Sequence, residues 1–178
     1  MTTKTIITLG RQFGSGGRAV GKKLAEDLGI PYYDKEILQR AAKESGICES
    51  LFENHDEKPT SSFLYSLVMD TYSAGYATMG MQEMPMSQKV FLAQFDTIKK
   101  IAEEGPCVIV GRCASHILKD RPDCLKVFVH ADKDYRLKRA IEAEKLSKNE
   151  AEEFLRKSDK RRSGFYNVHT GWKWGDME

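Results

Sequence analysis

Residues 10–18, GRQFGSGGR, constrain this chain more than any other stretch. They follow a β-rich apolar run at 5–9 and precede RAVGKKLAEDL at 18–28, where Val20, Leu24 and Leu28 recur four apart on one helical face before Gly29. A strand, a glycine-rich turn and a helix start form an anion site. The successive N–H groups of residues 14–17 point from a helix N-terminus whose dipole favours negative charge. The phosphate-cradling template G-x-x-x-x-G-K-[ST] fits with its second glycine on Gly16. Arg11 then stands in the first glycine's place, Gly17 in the lysine's and Arg18 in the hydroxyl's. The frame of the loop is there and its cation is not. Arg11 and Arg18 flank it with planar forks suited to phosphate oxygens, and are candidates for the missing charge or else plain surface arginines. An ordinary βα turn is the alternative for the loop itself.

The rest of the chain alternates strand and helix signals. A short strand is expected at 31–34 and a helix at 35–45, with Ile37, Leu38, Ala41 and Ala42 at helical spacing. Residues 53–87 differ: a polar, Pro-containing start leads into Met69, Met79, Met81, Met84 and Met86 mixed with Tyr65, Tyr72 and Tyr76, and this is read as an inserted subdomain. A helix over 87–104 carries Phe91, Phe95, Ile98 and Ala102 on one face and stops at Gly105 and Pro106. CVIVGR, 107–112, predicts a strand buried on both sides, and LKVFVHA, 125–131, a second such strand. Asp132 is expected to cap a helix to about Glu144, and Ser147 with Glu150 forms a capping box for a helix through Arg156. The fold class is α/β, a doubly wound parallel sheet flanked by helices.

Ligands of such sheets bind outside the carboxyl ends of the strands. The glycine loop follows the first strand, Asp34 ends the second, and Gly111 with Arg112 ends the third. Arg112, directly after buried apolar residues, points into the crevice or pairs with an acid. Asp34 binds a substrate hydroxyl or a hydrated metal, or it caps the helix beginning at Lys35. The run RKSDKRRS at 156–163, with Arg136 and Arg139, is either an arginine-bearing lid over transferring phosphates or a solvated face. His55, His116, His130 and His169 are scattered and read as structural.

Bulk composition narrows the classes. With 178 residues the chain builds one domain with an inserted lid, and 28 basic against 26 acidic residues leave a net charge of +2, too little for a general attraction to nucleic acid or membrane. No run approaches the roughly 20 apolar residues of a membrane span. Cys48, Cys107, Cys113 and Cys124 show no metal or redox spacing, which predicts reduced, mostly buried thiols and a cytoplasmic protein.

Assembled, these positions resemble the P-loop nucleoside monophosphate kinases, most closely the cytidylate kinase-like family. The resemblance lies in GRQFGSGGR, GKKLAEDLGIPYYDKEIL, EEGPCVIVGRCA, LKVFVHADKDYRLKRA and SDKRRSGFYNVHTGWKWGD, in that order along almost the whole chain. It implies a P-loop NTPase-type core at about 1–52 and 88–144, an NMP-binding insert at about 53–87 and a lid at about 145–170. It also implies transfer of the γ-phosphoryl of ATP, with magnesium, to CMP or dCMP. On that resemblance Arg11, Gly14, Ser15, Gly16, Gly17 and Arg18 would hold ATP; Asp34, Arg40, Gly111 and Arg112 would hold the acceptor; and Arg18, Arg136, Arg139, Arg161 and Arg162 would act on the transferring group. Magnesium would rest on Ser15, water and phosphates. Partners are expected to be small nucleotides, not nucleic acid or membrane, with the chain a monomer or homodimer.

Two departures from the family stand out: Gly17 and Arg18 where G-K-[ST] is usual, and Gly111, Arg112 and Cys113 where G-R-D is usual. The family fold is also expected to add a strand and a helix beyond WGDME, without which the strand at 125–131 is open to self-pairing. A nucleotide-binding sensor without turnover and a kinase for another small acceptor are the alternative functions.

Overall fold

Ile6 and Ile7 point to opposite faces of one strand and both are buried, so this segment needs cover on two sides. The computed structural model, which describes residues 5–55 and 84–176, supplies it with helices on both faces of a four-stranded parallel sheet. The described elements run β1 (Ile6–Arg11), α1 (Gly17–Leu28), β2 (Tyr32–Tyr33), α2 (Glu36–Ser45), α3 (Glu49–His55) and α4 (Met86–Glu104). They continue through β3 (Val108–Val110), α5 (Ala114–Ile117), β4 (Cys124–Val129), α6 (Lys133–Glu144) and α7 (Lys148–Thr170). Met69, Met79, Met81, Tyr65, Tyr72 and Tyr76 of the expected insert lie outside the described residues.

The strand order is β2-β3-β1-β4. Ile7 pairs with Val108 on one side and Leu125 on the other, so β1 lies inside the sheet and its carboxyl end opens between those of β3 and β4. On one face Ile6 and Ile109 pack with Phe91, Phe95 and Ile98 of α4 and Phe165 of α7. On the other, Ile7, Leu9, Val108 and Val110 receive Ala25 of α1. Burial of each large side chain in these clusters contributes about 1.5–3 kcal/mol.

Three elements differ from their sequence patterns for physical reasons. Helix α1 turns Val20 and Leu28 outward, 49% and 38% exposed, and meets the sheet through Gly17, Gly21 and Ala25 instead. Small residues at that spacing let the helix lie close: a Cβ on Gly21 would stand 3.1 Å from the Tyr32 ring. Strand β4 is not buried on both faces; among the described strands it is, with β2, one of the two sheet edges, and Leu125 is 53% exposed. Helix α7 opens on the expected capping box but runs well past Arg156. Its buried stripe of Ala151, Leu155, Ser158, Arg162, Phe165 and His169 keeps an alternating spacing of four and three, with polar residues at half the positions.

Cys107 and Cys113 are buried, Cys124 is half-buried and Cys48 exposed, all as free thiols. Among the described residues no helix is long and apolar enough to cross a membrane.

Two of the histidines belong to this packing. His169 stacks on Phe91 at 4.4 Å and donates from Nδ1 to the Phe165 carbonyl at 2.7 Å, while His116 meets the Trp172 ring edge-on at 4.7 Å. Burial pushes each imidazole down to about 4, with Lys119 and Lys126 adding to the effect at His116. A depressed histidine binds its proton in the unfolded chain first, so the stability it contributes is complete above pH 6.5 and is lost as pH falls toward 4. The melting temperature should therefore decline through that window in a pH series, and His116→Gln/His169→Gln should flatten the decline; an unchanged slope in the double variant would contradict it.

Candidate active site

The loop after β1 is shaped by close approaches as much as by torsions. Gly14 has φ 75°, and a Cβ there would strike the Arg136 carbonyl oxygen at 2.6 Å, so only glycine lets the loop seat against the first turns of α6. Ser15 donates its hydroxyl to the Gln12 carbonyl at 2.9 Å, closing the turn from inside. Gly16 occupies the N-cap of α1, where no side chain caps the helix and no acidic residue stands in the first turn. The orphan N–H groups and the positive end of the dipole are thus left for an outside anion. Arg18 in that same first turn makes the helix start still more positive.

Helix α7 lies against this loop. Asp159 accepts the Phe13 N–H at 2.8 Å with one carboxylate oxygen and the Arg136 guanidinium at 2.6 Å with the other, tying loop, α6 and α7 together. Arg162 donates to the Arg11 carbonyl at 3.4 Å and stacks 5.6 Å above the Phe13 ring, which meets Phe154 edge-on at 4.9 Å.

The other strand ends converge on one buried carboxylate. Asp34 Oδ2 takes Arg18 Nε at 2.6 Å, and its Oδ1 takes Arg112 Nη1 at 3.2 Å with Arg11 Nη2 at 4.0 Å. Three guanidinium groups from three elements thus meet on one carboxylate. Asp34 does not cap α2; its own N–H is taken by Glu36 Oε2 at 2.9 Å. Arg112 both pairs and lines the crevice, and it is held there by a turn in which Gly111, Arg112 and Cys113 all have positive φ, 78°, 52° and 59°.

Two cavities open at this end of the sheet. One surrounds the glycine loop and includes Gly14, Gly16, Gly17, Arg18 and Arg139; the other lies above β1, β3 and β4 and includes Arg112, Ser115, Phe128, Tyr166 and Trp174. Arg11 and Arg162 line both. In the second cavity Ser115 and Tyr166 share a hydrogen bond at 3.3 Å, burial raises the Tyr166 phenol so that it stays protonated, and Trp174 meets Phe128 edge-on at 5.1 Å.

The structure thus brings Arg11, Gly14, Gly16, Gly17, Arg18, Asp34, Gly111, Arg112, Arg139 and Arg162 to one end of the sheet. It does not bring Arg40 there. That side chain pairs with Glu44 at 2.7 Å and with Glu104 at 2.9 Å, and Glu104 ends α4 just before the amino end of β3, opposite the crevice. Arg136 is committed to Asp159, and Arg161 is exposed and lines neither cavity. Asp159, Phe13 and Trp174 are additions that sequence reasoning did not single out. A lone acid three residues before Arg162 inside a basic run was the available signal for Asp159.

A magnesium ion held by the protein does not fit these residues. Among the described residues no group of three His, Cys, Asp or Glu could hold a metal, Asp34 is enclosed by cations, and the Ser15 hydroxyl is turned into its own loop.

The model of the cytidylate kinase-like family matches residues 6–178. A solved structure, described as that of an uncharacterized protein from Eubacterium ventriosum ATCC 27560, matches with a TM-score of 0.69 and 34% sequence identity, over 97% of this chain and 81% of that one. None of the curated proteins matches.

The crowding of cations on Asp34 has a direct test. Asp34→Asn removes the carboxylate that the three guanidinium groups share and should lower stability by about 3 kcal/mol. Inorganic phosphate, as a substitute anion, should raise the melting temperature of the variant more than that of the unmodified protein. Equal shifts in thermal melts would show that no anion site lies among these arginines.

Proposed function

The chain belongs to the cytidylate kinase-like family, and from that premise we propose that it transfers a phosphoryl group from ATP to a nucleoside monophosphate, with CMP and dCMP as the first acceptors to try. The observation that carries the proposal is the pair of cavities sharing Arg11 and Arg162 at the carboxyl end of the sheet. One is built for the triphosphate: its backbone N–H groups issue from an uncapped helix start, and Arg18 and Arg139 stand at its rim. The other is built for a small anion with an organic body, with Arg112 at its base and Phe128, Tyr166 and Trp174 as walls.

Phosphoryl transfer asks little covalent chemistry of a protein. Positioning in line and neutralising charge suffice. In this proposal the loop N–H groups bind the donor phosphates, and Arg112, held by Asp34, meets the acceptor phosphate. Arg162, fixed over Phe13 and the Arg11 carbonyl, closes the boundary between the two cavities and excludes water. Magnesium enters as the ion the triphosphate carries, held by phosphate oxygens and water. An ATP donor and reduced thiols both suit a cytoplasmic setting.

One observation favours a second reading, a nucleotide-binding module without turnover: Gly17 leaves the usual lysine position without a cation. Turnover decides between them. With magnesium and ATP, the protein is assayed against CMP, dCMP, UMP, AMP and GMP beside Arg112→Ala. Acceptor-dependent ADP formation is expected, with the acceptor KM of the variant raised about tenfold or more and the ATP KM nearly unchanged. Tight ATP binding without transfer to any acceptor would favour the binding module.

A further inference from the structure

This inference rests on the kinase reading and concerns the cation that its glycine loop lacks. Where the template has lysine the chain has Gly17, and where the template has its first glycine the chain has Arg11. These two departures are one. A Cβ built on Gly17 falls 2.6 Å from the Arg11 Cβ and 3.2 Å from its Cγ, well inside the separation at which carbon atoms repel. Positions 11 and 17 face each other across the turn and have room for a single side chain. Glycine at 11 admits lysine at 17; arginine at 11 requires glycine at 17.

The side chain that takes the shared space carries the charge to the same region. Arg11 is 6% exposed, is the last residue of β1, and lines the loop cavity together with Gly14, Gly16 and Gly17. It also lines the Arg112 cavity, and its Nη2 lies 4.0 Å from the Asp34 carboxylate that orients Arg112. We propose that Arg11 is the catalytic cation of the transfer, delivered from the strand end instead of the first turn of α1, and that Gly17 is bare in order to admit it.

In the step itself an acceptor phosphate oxygen bonds to the γ-phosphorus while the bond from that phosphorus to the β,γ-bridging oxygen breaks. The electron pair stays on that oxygen, which becomes terminal on the diphosphate, and a dianionic acceptor has no proton to give up. Negative charge gathers between donor and acceptor, at the boundary that Arg11 lines from both sides. A planar guanidinium there spans two oxygens where an ammonium meets one point.

The test is an exchange of the two residues, read by steady-state transfer and by thermal melting without nucleotide. Arg11→Gly should lower kcat about a hundredfold or more while the acceptor KM stays nearly constant. Gly17→Lys alone should lose both melting temperature and turnover because the side chains overlap. Arg11→Gly/Gly17→Lys, which restores the template's first glycine and its lysine, should recover both above either single variant. Gly17→Ala reads the overlap without any activity: it should lower the melting temperature of the unmodified protein and spare that of Arg11→Gly. If Arg11→Gly melts below the assay temperature, Arg11→Lys and Arg11→Met keep the aliphatic stem and separate charge from bulk, with the lysine variant expected to turn over faster. A protein that transfers phosphate equally well as Arg11→Gly, or as Arg11→Lys and Arg11→Met, overturns the assignment of Arg11 and leaves the kinase reading intact. Equal melting penalties for Gly17→Ala in both backgrounds overturn the steric exclusion. An unmodified protein that transfers to no acceptor overturns the kinase reading and this proposal with it.

Discussion

The carboxyl end of the sheet is organised around one buried carboxylate. Asp34 receives guanidinium groups from the end of β1, from the first turn of α1 and from the turn after β3. Without it, three cations from three elements would crowd one another in a poorly solvated space, and the ends of β1 and β3 and the start of α1 would lose the group they share. With it, the elements are tied together. The site is therefore structured before any ligand arrives, and the uncapped start of α1 beside it favours an anion, the condition preorganised electrostatics requires.

A second constraint runs through α7. Its buried stripe carries Leu155 and Phe165 to the packing and Ser158, Arg162 and His169 between and beyond them, so one helix face belongs partly to the core and partly to the site. Asp159, beside that stripe, reaches the Phe13 N–H and Arg136 at once. Asp159 consequently couples loop position, α6 and α7 through one carboxylate.

Much of this was legible in the sequence, and the failures have causes. Strand β3 and helix α4 follow directly from Val108, Ile109 and Val110 and from the spacing of Phe91, Phe95 and Ile98, because burial there leaves no competing pattern. The packing face of α1 was hidden because close contact selects Gly17, Gly21 and Ala25, which carry no hydrophobic signal. The length of α7 was hidden because arginine and histidine occupy inward positions. The placement of Gly14, Gly16 and Arg112 at the carboxyl end of the sheet follows from their position after strands, whereas the placement of Arg40 does not: its neighbours Glu44 and Glu104 are brought to it by the fold, the second from 64 residues away. For Asp34 the sequence offered a helix cap or a ligand, and its actual partners come from positions 11, 18 and 112.

The turn at Gly111, Arg112 and Cys113 places two residues with side chains in left-handed conformations that cost about 1–3 kcal/mol each. Relaxing them with glycine would make the folded chain more robust and would also remove the arginine or loosen the backbone that aims it. Selection for robustness and selection for the site therefore pull in opposite directions at residues 112 and 113. A search for stabilised variants of this protein would be drawn toward a turn whose repair disarms it.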